Sequence, residues 1–330
     1  MRRRANQPSA PTTFILTQTL RQKGEIKMSN DAQNKREPIE ILLVSDANYS
    51  AFLATTIVSI LSNAAPDDRL RFHIVDGGMT QDDLDKIKEL AQARQFEVEF
   101  YRPVLQSHCK AFRDDVKTFP VVVNYRLFLA KYLPSTLDKV LYMDVDVVAL
   151  KSLRELWDVP LDDLFVGAIP DRNMRLSHRR DLGLPDDYPY FNSGVLLVNL
   201  KKWRDEAILE KLLEIANEIR QAIDFPDQDV LNVYAYRNGY KELDARWNSH
   251  PRNYDAKTSG ILHYMGSRHR CPHLDLLYGY AAQTPYGKLP MQGTGYKLKR
   301  GLKRIGYNFL CFFLFRRKWR REFRKHFNLR

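Results

Sequence analysis

Only three cysteines occur in the 330 residues, Cys109, Cys271 and Cys311. They are too few and too scattered for a disulfide framework or a Cys-x-x-Cys site, which fits a reducing compartment and leaves oxygen and nitrogen ligands for any metal. Long apolar runs are missing as well. The longest, Phe309 to Phe315, falls far short of the roughly 20 residues that cross a bilayer, so no transmembrane helix is predicted. Residues Met1 to Pro38 contain no secretory apolar core: they are polar, open on Arg2, Arg3 and Arg4, and hold only the short run Phe14 to Leu16. We read 1–38 as a disordered extension, with Met1 or Met28 as the start of translation. No Gly-x-Gly-x-x-Gly follows the first apolar strand, which excludes the dinucleotide fingerprint.

What the chain does have is enough apolar content, 44%, to bury a full-sized core. One large domain with extensions is the simplest organisation. The net charge of +12 is not spread along it. Thirteen Lys and Arg lie between Lys297 and Arg330 against one acidic residue, Glu322, so the remaining 296 residues carry 39 basic and 39 acidic side chains. A neutral body with a basic tail points to a domain that does chemistry and an appendage that localises it.

Along the body, Ile39 to Ser45 has the composition of a buried strand and is followed by a helical stretch from Ser50 to Asn63. Arg71 to Val75 repeats the strand pattern, Thr80 with Asp83 opens a helix as a capping box, and Phe96 to Phe100 alternates as a third strand. This alternation predicts an α/β fold with a mostly parallel sheet, whose ligands bind beyond the carboxyl ends of the strands. Further on, we expect a helix over Asn124–Tyr132 and strands over Lys139–Met143, Leu164–Ile169, Gly194–Leu200 and Ile261–Tyr264. A long helix is expected over Lys201–Ile223 and another over Asp227–Tyr236.

Chemistry-bearing residues sit where these strands end. Asp144 and Asp146 leave a strand two residues apart, and two carboxylates so placed can converge on one divalent cation that holds a diphosphate. A solvated strand end accounts for Asp-x-Asp equally simply. His263 ends a late strand, followed by Gly266 and the cations Arg268, His269 and Arg270; an imidazole there would complete an oxygen set, though a lone core histidine is common. Phe191-Asn192-Ser193-Gly194 and Phe225-Pro226-Asp227-Gln228-Asp229 mix polar groups with turn residues, and turns explain both. Asp227 also suits a helix N-cap.

Taken together, Val44-Ser45-Asp46-Ala47-Asn48-Tyr49, Asn124-Tyr125-Arg126, the segment from Lys139 to Asp146, that from Phe191 to Arg204, that from Asp227 to Asn232 and His263-Tyr264-Met265-Gly266 resemble glycosyltransferase family 8 in motif order. The resemblance is to the galactosyl- and glucosyltransferases of bacterial lipopolysaccharide and lipooligosaccharide synthesis. It implies a GT-A fold, a UDP-hexose donor, Mn²⁺ or Mg²⁺, and transfer with retention. It also implies Asp144, Asp146 and His263 as metal ligands, with Asp144 near the donor ribose, and Asp46 and Asn48 at uracil and ribose. Arg126, Asp171, Asn192, Asp227 and Gln228 would surround the donor sugar, Gln228 nearest its reacting face, with Gly266 at the diphosphate. The family's Lys-Pro-Trp after His-x-x-Gly is missing: His269 stands at the lysine position and Pro272 comes late, leaving Arg268 or Arg270 as substitutes. Asp-Gln supplies no obvious covalent nucleophile, which favours front-face transfer through a short-lived oxocarbenium-like ion pair.

In the tail, Leu298, Leu302, Ile305, Phe309, Phe312, Phe315, Trp319, Phe323 and Phe327 recur every three or four residues among the thirteen cations. That is the pattern of a helix lying in an anionic membrane surface, and the regular aromatic stripe weighs against nucleic acid as the partner. The expected organisation is therefore an extension (1–38), a GT-A catalytic domain (39–288) and a basic amphipathic tail (289–330). The expected activity is transfer of glucose or galactose from UDP-glucose or UDP-galactose to a lipid-linked or lipopolysaccharide core glycan, at the inner face of the cytoplasmic membrane. The alternatives are a metal-dependent nucleotidyltransferase, which would release pyrophosphate, and an inactive membrane-tethered module.

Overall fold

The computed structural model describes residues 36–103, 121–265 and 271–290. Nearly all of the predicted extension and tail therefore lie outside the described residues. Up to Lys288 the described chain forms one compact unit. Its strands are β1 (Ile39–Ser45), β2 (Leu70–Asp76), β3 (Glu97–Tyr101), β4 (Lys139–Met143), β5 (Val147–Ala149), β6 (Val166–Pro170), β7 (Phe191–Asn199), β8 (Lys241–Glu242) and β9 (Ile261–His263). Its helices are α1 (Ser50–Asn63), α2 (Gln81–Arg94), α3 (Leu129–Tyr132), α4 (Arg154–Trp157), α5 (Leu176–Asp181), α6 (Leu200–Asp205), α7 (Ile208–Glu218), α8 (Pro226–Asn238) and α9 (Leu274–Ala281).

Seven strands make one sheet in the order β3-β2-β1-β4-β7-β6-β8, and β5 and β9 form a separate pair. The β3-β2-β1-β4 half is parallel throughout, as the repeated strand–helix pattern requires. In the other half, β7 runs antiparallel to both β4 and β6, and β8 is parallel to β6. The direction of β7 is what assembles the site, because it brings its first residues beside the last residues of β4. β1 is buried almost throughout, as befits a central strand covered on both faces, whereas β3 at the edge exposes Glu97 and Glu99.

The structure reproduces β1 and α1 at the predicted residues, and Thr80 and Asp83 form the reciprocal capping box at the start of α2. Two expectations are corrected. Residues Val121–Phe128 wind as a 3₁₀ helix, with only Leu129–Tyr132 turning α-helical. The single helix expected over 201–223 is two, α6 and α7, because Ala207 adopts a left-handed conformation at φ 51° and turns the chain between them. That break lets Trp203 bury its ring and donate its indole N–H to the Phe165 carbonyl (3.0 Å), while α7 turns Ile208, Leu212 and Ile215 into the core. No described helix is long and apolar enough to cross a membrane.

Candidate active site

Asp144 follows β4 directly. Its N–H donates to the Gly194 carbonyl (2.8 Å), carrying the β4–β7 ladder one step beyond Met143 opposite Val195. Just past Asp146, β5 pairs with β9 so that Val147 lies opposite His263, and the Tyr264 N–H reaches the Asp146 carbonyl (2.9 Å). α1 holds this segment from behind. The Thr56 hydroxyl lies 2.8 and 2.9 Å from the carbonyls of Val145 and Val147, sharing its proton between them, and the Ala149 N–H donates to the Ser59 hydroxyl (3.0 Å). The backbone on both sides of Asp146 is thus fixed by a buried helix.

The result is a three-residue cluster. Asp144, Asp146 and His263 each turn one ligand atom to a common point, all within 4.8 Å of one another. The His263 Nε2 lies 3.1 Å from Asp146 Oδ1 and 3.6 Å from Asp144 Oδ2. Burial alone would lower the pKa of this imidazole, but Asp146 and Asp144 outweigh that and hold it above its ordinary value. The other oxygen of Asp144, Oδ1, is already engaged by the Tyr142 hydroxyl (2.6 Å) and by Arg126 Nη2 (2.9 Å). Its Oδ2 remains directed into the cluster. Two carboxylate oxygens and an imidazole nitrogen form a donor set suited to a divalent cation such as Mn²⁺ or, with more water, Mg²⁺.

Arg126, from the 3₁₀ segment, lies buried between two carboxylates. Nη2 meets Asp144, Nε meets Asp227 Oδ2 (3.2 Å), and Nη1 donates to the Ser193 carbonyl (2.9 Å) and hydroxyl (3.2 Å). Its guanidinium also stacks 4.7 Å from the centre of the Tyr142 ring. Burial opposes its charge, but Asp144 and Asp227 more than compensate, and its pKa is raised. For Asp227 burial dominates and pulls the carboxyl above its usual range, against the opposing pull of Arg126 and the Ser193 hydroxyl (2.7 Å). Asp227 is therefore not the N-cap of α8. That position is Phe225, with Pro226 opening the helix, and Asp227 turns into the site from the first turn.

Gln228, next along α8, accepts at Oε1 from the Ser193 N–H (3.0 Å) and from the Asn192 amide (3.0 Å), and donates from Nε2 to the Tyr190 hydroxyl (3.1 Å). Tyr190 in turn donates to the fully buried Asp229 (2.6 Å), which also meets His178 (2.8 Å) and accepts the N–H groups of Asp224 and Phe225 (2.9 and 2.8 Å). Asn232 ties the same helix to β7, its amide spanning both the N–H and carbonyl of Phe191. The Phe191–Gly194 segment, which a turn would explain, is instead the opening of a nine-residue strand.

Of the other residues expected here, Asp46 closes a tight turn at the end of β1, accepting from the N–H groups of Asn48 (2.9 Å) and Tyr49 (3.2 Å) just before α1. Asn48 is exposed on that turn. Asp171 directly follows β6, half-buried, with its N–H on the Tyr190 carbonyl (2.7 Å), which places it at the same end of the sheet as Asn192. Gly266, Arg268 and Arg270 lie outside the described residues. Sequence reasoning missed Thr56, Ser59, Tyr142, Tyr190 and Asn248. Apart from Tyr142, which bonds to Asp144 two residues on, their partners lie on other elements, so no local spacing announces them.

The geometry agrees with what the chain is similar to. The profile of the family described as glycosyl transferase family 8 matches residues 40–268. A putative glycosyltransferase of Haemophilus influenzae is 30% identical over 260 residues, covering 74% of this chain and 77% of its own. A lipopolysaccharide 1,3-galactosyltransferase of Salmonella typhimurium is 26% identical over 239 residues, covering 67% of this chain and 69% of its own. Among solved structures, the galactosyltransferase LgtC in complex with donor and acceptor sugar analogs superposes with a TM-score of 0.67 at 27% identity, covering 78% of this chain and 99% of that one. The shared fold is the GT-A arrangement of a mostly parallel sheet flanked by helices.

Proposed function

Because the chain belongs to glycosyl transferase family 8, we propose that it transfers glucose or galactose from a UDP-hexose, with retention of configuration, to a lipid-linked or lipopolysaccharide core glycan. The observation that carries this reading is the convergence of Asp144, Asp146 and His263 at the sheet end where Asn192 is hydrogen-bonded to Gln228. Bound there by these three residues, Mn²⁺ or Mg²⁺ would neutralise the charge that builds on a departing diphosphate. Similarity to a lipopolysaccharide galactosyltransferase supports the glycan class, and the basic tail favours an acceptor at an anionic membrane surface on the cytoplasmic side.

The chain's own residues take up the remaining tasks. Arg126 bridges Asp144 and Asp227 and so fixes the two carboxylates side by side. Asp46 and Asn48, on the turn after β1, are the groups for the nucleoside. Asn192, held by Gly194 and Gln228, borders the place for the sugar, and Asp171 lies at the same sheet end for one of its hydroxyls. Asp227 is engaged by Arg126 and Ser193, and Gln228 is held through both ends of its amide, so neither side chain is placed to act as a covalent nucleophile. This favours front-face transfer, in which the leaving UDP takes up the proton of the acceptor hydroxyl while Gln228 borders the reacting face.

The test is UDP release from UDP-glucose and UDP-galactose with Mn²⁺, Mg²⁺ or chelator, on the intact chain and on Asp146→Ala. We expect metal-dependent UDP release that the substitution lowers by more than about tenfold, roughly 1.4 kcal/mol of barrier. A folded Asp146→Ala protein that keeps its rate would refute the assignment, and hexose 1-phosphate in place of UDP, the product of uridylyl transfer, would make the chain a nucleotidyltransferase.

A further inference from the structure

Which nitrogen His263 turns toward Asp144 and Asp146 decides whether the cluster can hold a cation at all, and a residue outside the expected site controls it. Asn248 ends a 3₁₀ turn, Ala245–Asn248, that Asp244 caps by accepting the Arg246 N–H (2.9 Å). The turn lies tight against β9. Trp247 is buried so closely on Gly260 that a Cβ there would meet its ring at 2.5 Å, and the Ser249 N–H and carbonyl bond to Ile261 and His263 (3.0 and 2.9 Å).

From this position the Asn248 amide bridges two site residues. One end lies 2.9 Å from Asn192 Oδ1 and the other 2.9 Å from His263 Nδ1. The orientation of each group follows from its neighbour. The Gly194 backbone N–H, always a donor, points at one atom of the Asn192 amide (2.9 Å), which must therefore be its oxygen. The Asn248 atom facing that oxygen must be the NH₂, so its carbonyl faces His263 and Nδ1 must carry a proton. In the neutral ring, the form that can ligate a cation, the single proton then stays on Nδ1 and the Nε2 lone pair is the one that faces the carboxylates. A reversed Asn248 amide would set two oxygens against each other and favour the opposite tautomer, whose Nε2–H could not ligate a cation.

We infer that Asn248 is the positioning residue that commits His263 to the Nδ1–H tautomer and ties that choice, through Asn192 and Gln228, to the donor-sugar pocket. The inference rests on the metal-site reading above and deepens it. The side chain bonds to His263 and to Asn192 and acts on the cluster through them.

Mn²⁺ binding to the full chain, measured by electron paramagnetic resonance with UDP present, tests this separately from turnover. Three variants are compared: Asn248→Leu, Asn248→Asp and His263→Ala. Asn248→Leu removes the acceptor and should weaken Mn²⁺ by about 10–100-fold, as loss of a ligand's supporting partner does, with little change in melting temperature. Asn248→Asp keeps an acceptor for Nδ1–H but loses the donor to Asn192. It should therefore retain Mn²⁺ affinity to within about threefold while raising donor KM or lowering kcat. If His263→Ala abolishes Mn²⁺ binding and Asn248→Leu leaves it at the wild-type value, the inference falls and the metal site stands. Undiminished binding in His263→Ala overturns the metal site itself and this inference with it. Should Asn248→Leu fail to fold, Asn248→Asp decides: affinity as poor as that of His263→Ala refutes the role.

Discussion

Gly194 is the position where one added carbon should do most damage. Its backbone is not in the left-handed region, so the glycine is there for space. A Cβ at this position would lie 2.2 Å from His263 Cε1, 2.8 Å from Nδ1 and 2.9 Å from Asn192 Oδ1. Carbon atoms settle near 3.5–4.0 Å, so in Gly194→Ala the imidazole must retreat by about 1.3 Å or more. It cannot do so freely, because the ring is buried at 3% exposure and held at both nitrogens. Ligand distances tolerate about 0.2 Å, so the displaced ring should no longer complete the cluster. A misplacement of about 1 Å costs on the order of 100-fold in rate. The overpacking itself costs about 1–3 kcal/mol of stability. The assay pairs UDP release with Mn²⁺ affinity and a thermal melt. Gly279→Ala is the control: Gly279 is exposed on α9 with nothing within 4 Å of a built Cβ, and an alanine there should be neutral or stabilising by up to about 1 kcal/mol. A folded Gly194→Ala protein with wild-type Mn²⁺ affinity and rate would refute the reasoning.

Arg126→Met leaves the buried Asp227 and its neighbour Asp144 without their shared cation, and breaking such a pair costs roughly 3–5 kcal/mol, so the melting temperature should fall markedly; an unchanged melt would mean the pair contributes nothing. His178 is buried against Asp229 and Tyr190, with Asp224 and Arg175 nearby, and although burial opposes it, Asp229 and Asp224 raise its pKa. A raised histidine pKa stabilises the fold below the unfolded value of about 6.5 and loses that contribution as pH rises through the folded value. The stability difference between wild type and His178→Gln should accordingly shrink between pH 6 and 9, and a gap that widens with pH would contradict the pairing. Residues 296–330 lie outside the described structure, and a chain ending at Gly295 should no longer sediment with anionic liposomes, since each basic residue at such a surface contributes about 1 kcal/mol. It should keep transfer to a water-soluble acceptor, and retained sedimentation would place membrane contact elsewhere.

The sequence was most legible where local pattern and environment coincide. β1 and α1 are covered on all sides, so their apolar runs have sharp ends, and the capping box of α2 can be read from Thr80 and Asp83 alone. The division between α6 and α7 was not legible, because its left-handed residue is Ala207 and neither glycine nor proline marks it. The antiparallel course of β7 was hidden for another reason: strand direction depends on the connections around it, not on composition. At the site, Asp144 and Asp146 announced themselves by spacing. His263, 117 residues beyond Asp146, was by itself a weak candidate that the family resemblance joined to them, and Asn248 and Thr56 had no such signal. A mid-helix threonine that donates to a carbonyl about 90 residues away looks like any other threonine.

The charges explain why the site needs so much buried polar structure. Asp144, Asp146 and Asp227 crowd into one end of the sheet, and burial alone drives a carboxyl there toward its neutral form, as the raised pKa of Asp227 records. A site meant to receive a divalent cation offsets that with a buried positive charge of its own. Arg126 supplies it from the side away from His263, taking Oδ1 of Asp144 and Oδ2 of Asp227 while the Tyr142 and Ser193 hydroxyls complete their coordination. Asp144 thereby divides its two oxygens between fixed protein partners and the open cluster. Because Oδ1 cannot rotate away without breaking two short contacts, Oδ2 is held in place whether or not a cation is bound. The backbone around Asp146 is fixed by Thr56 and Ser59, and His263 by Asn248, so each of the three ligands is anchored by a different element. Among the described residues these anchors are packed elements, and the cost of ordering the three ligands is met during folding.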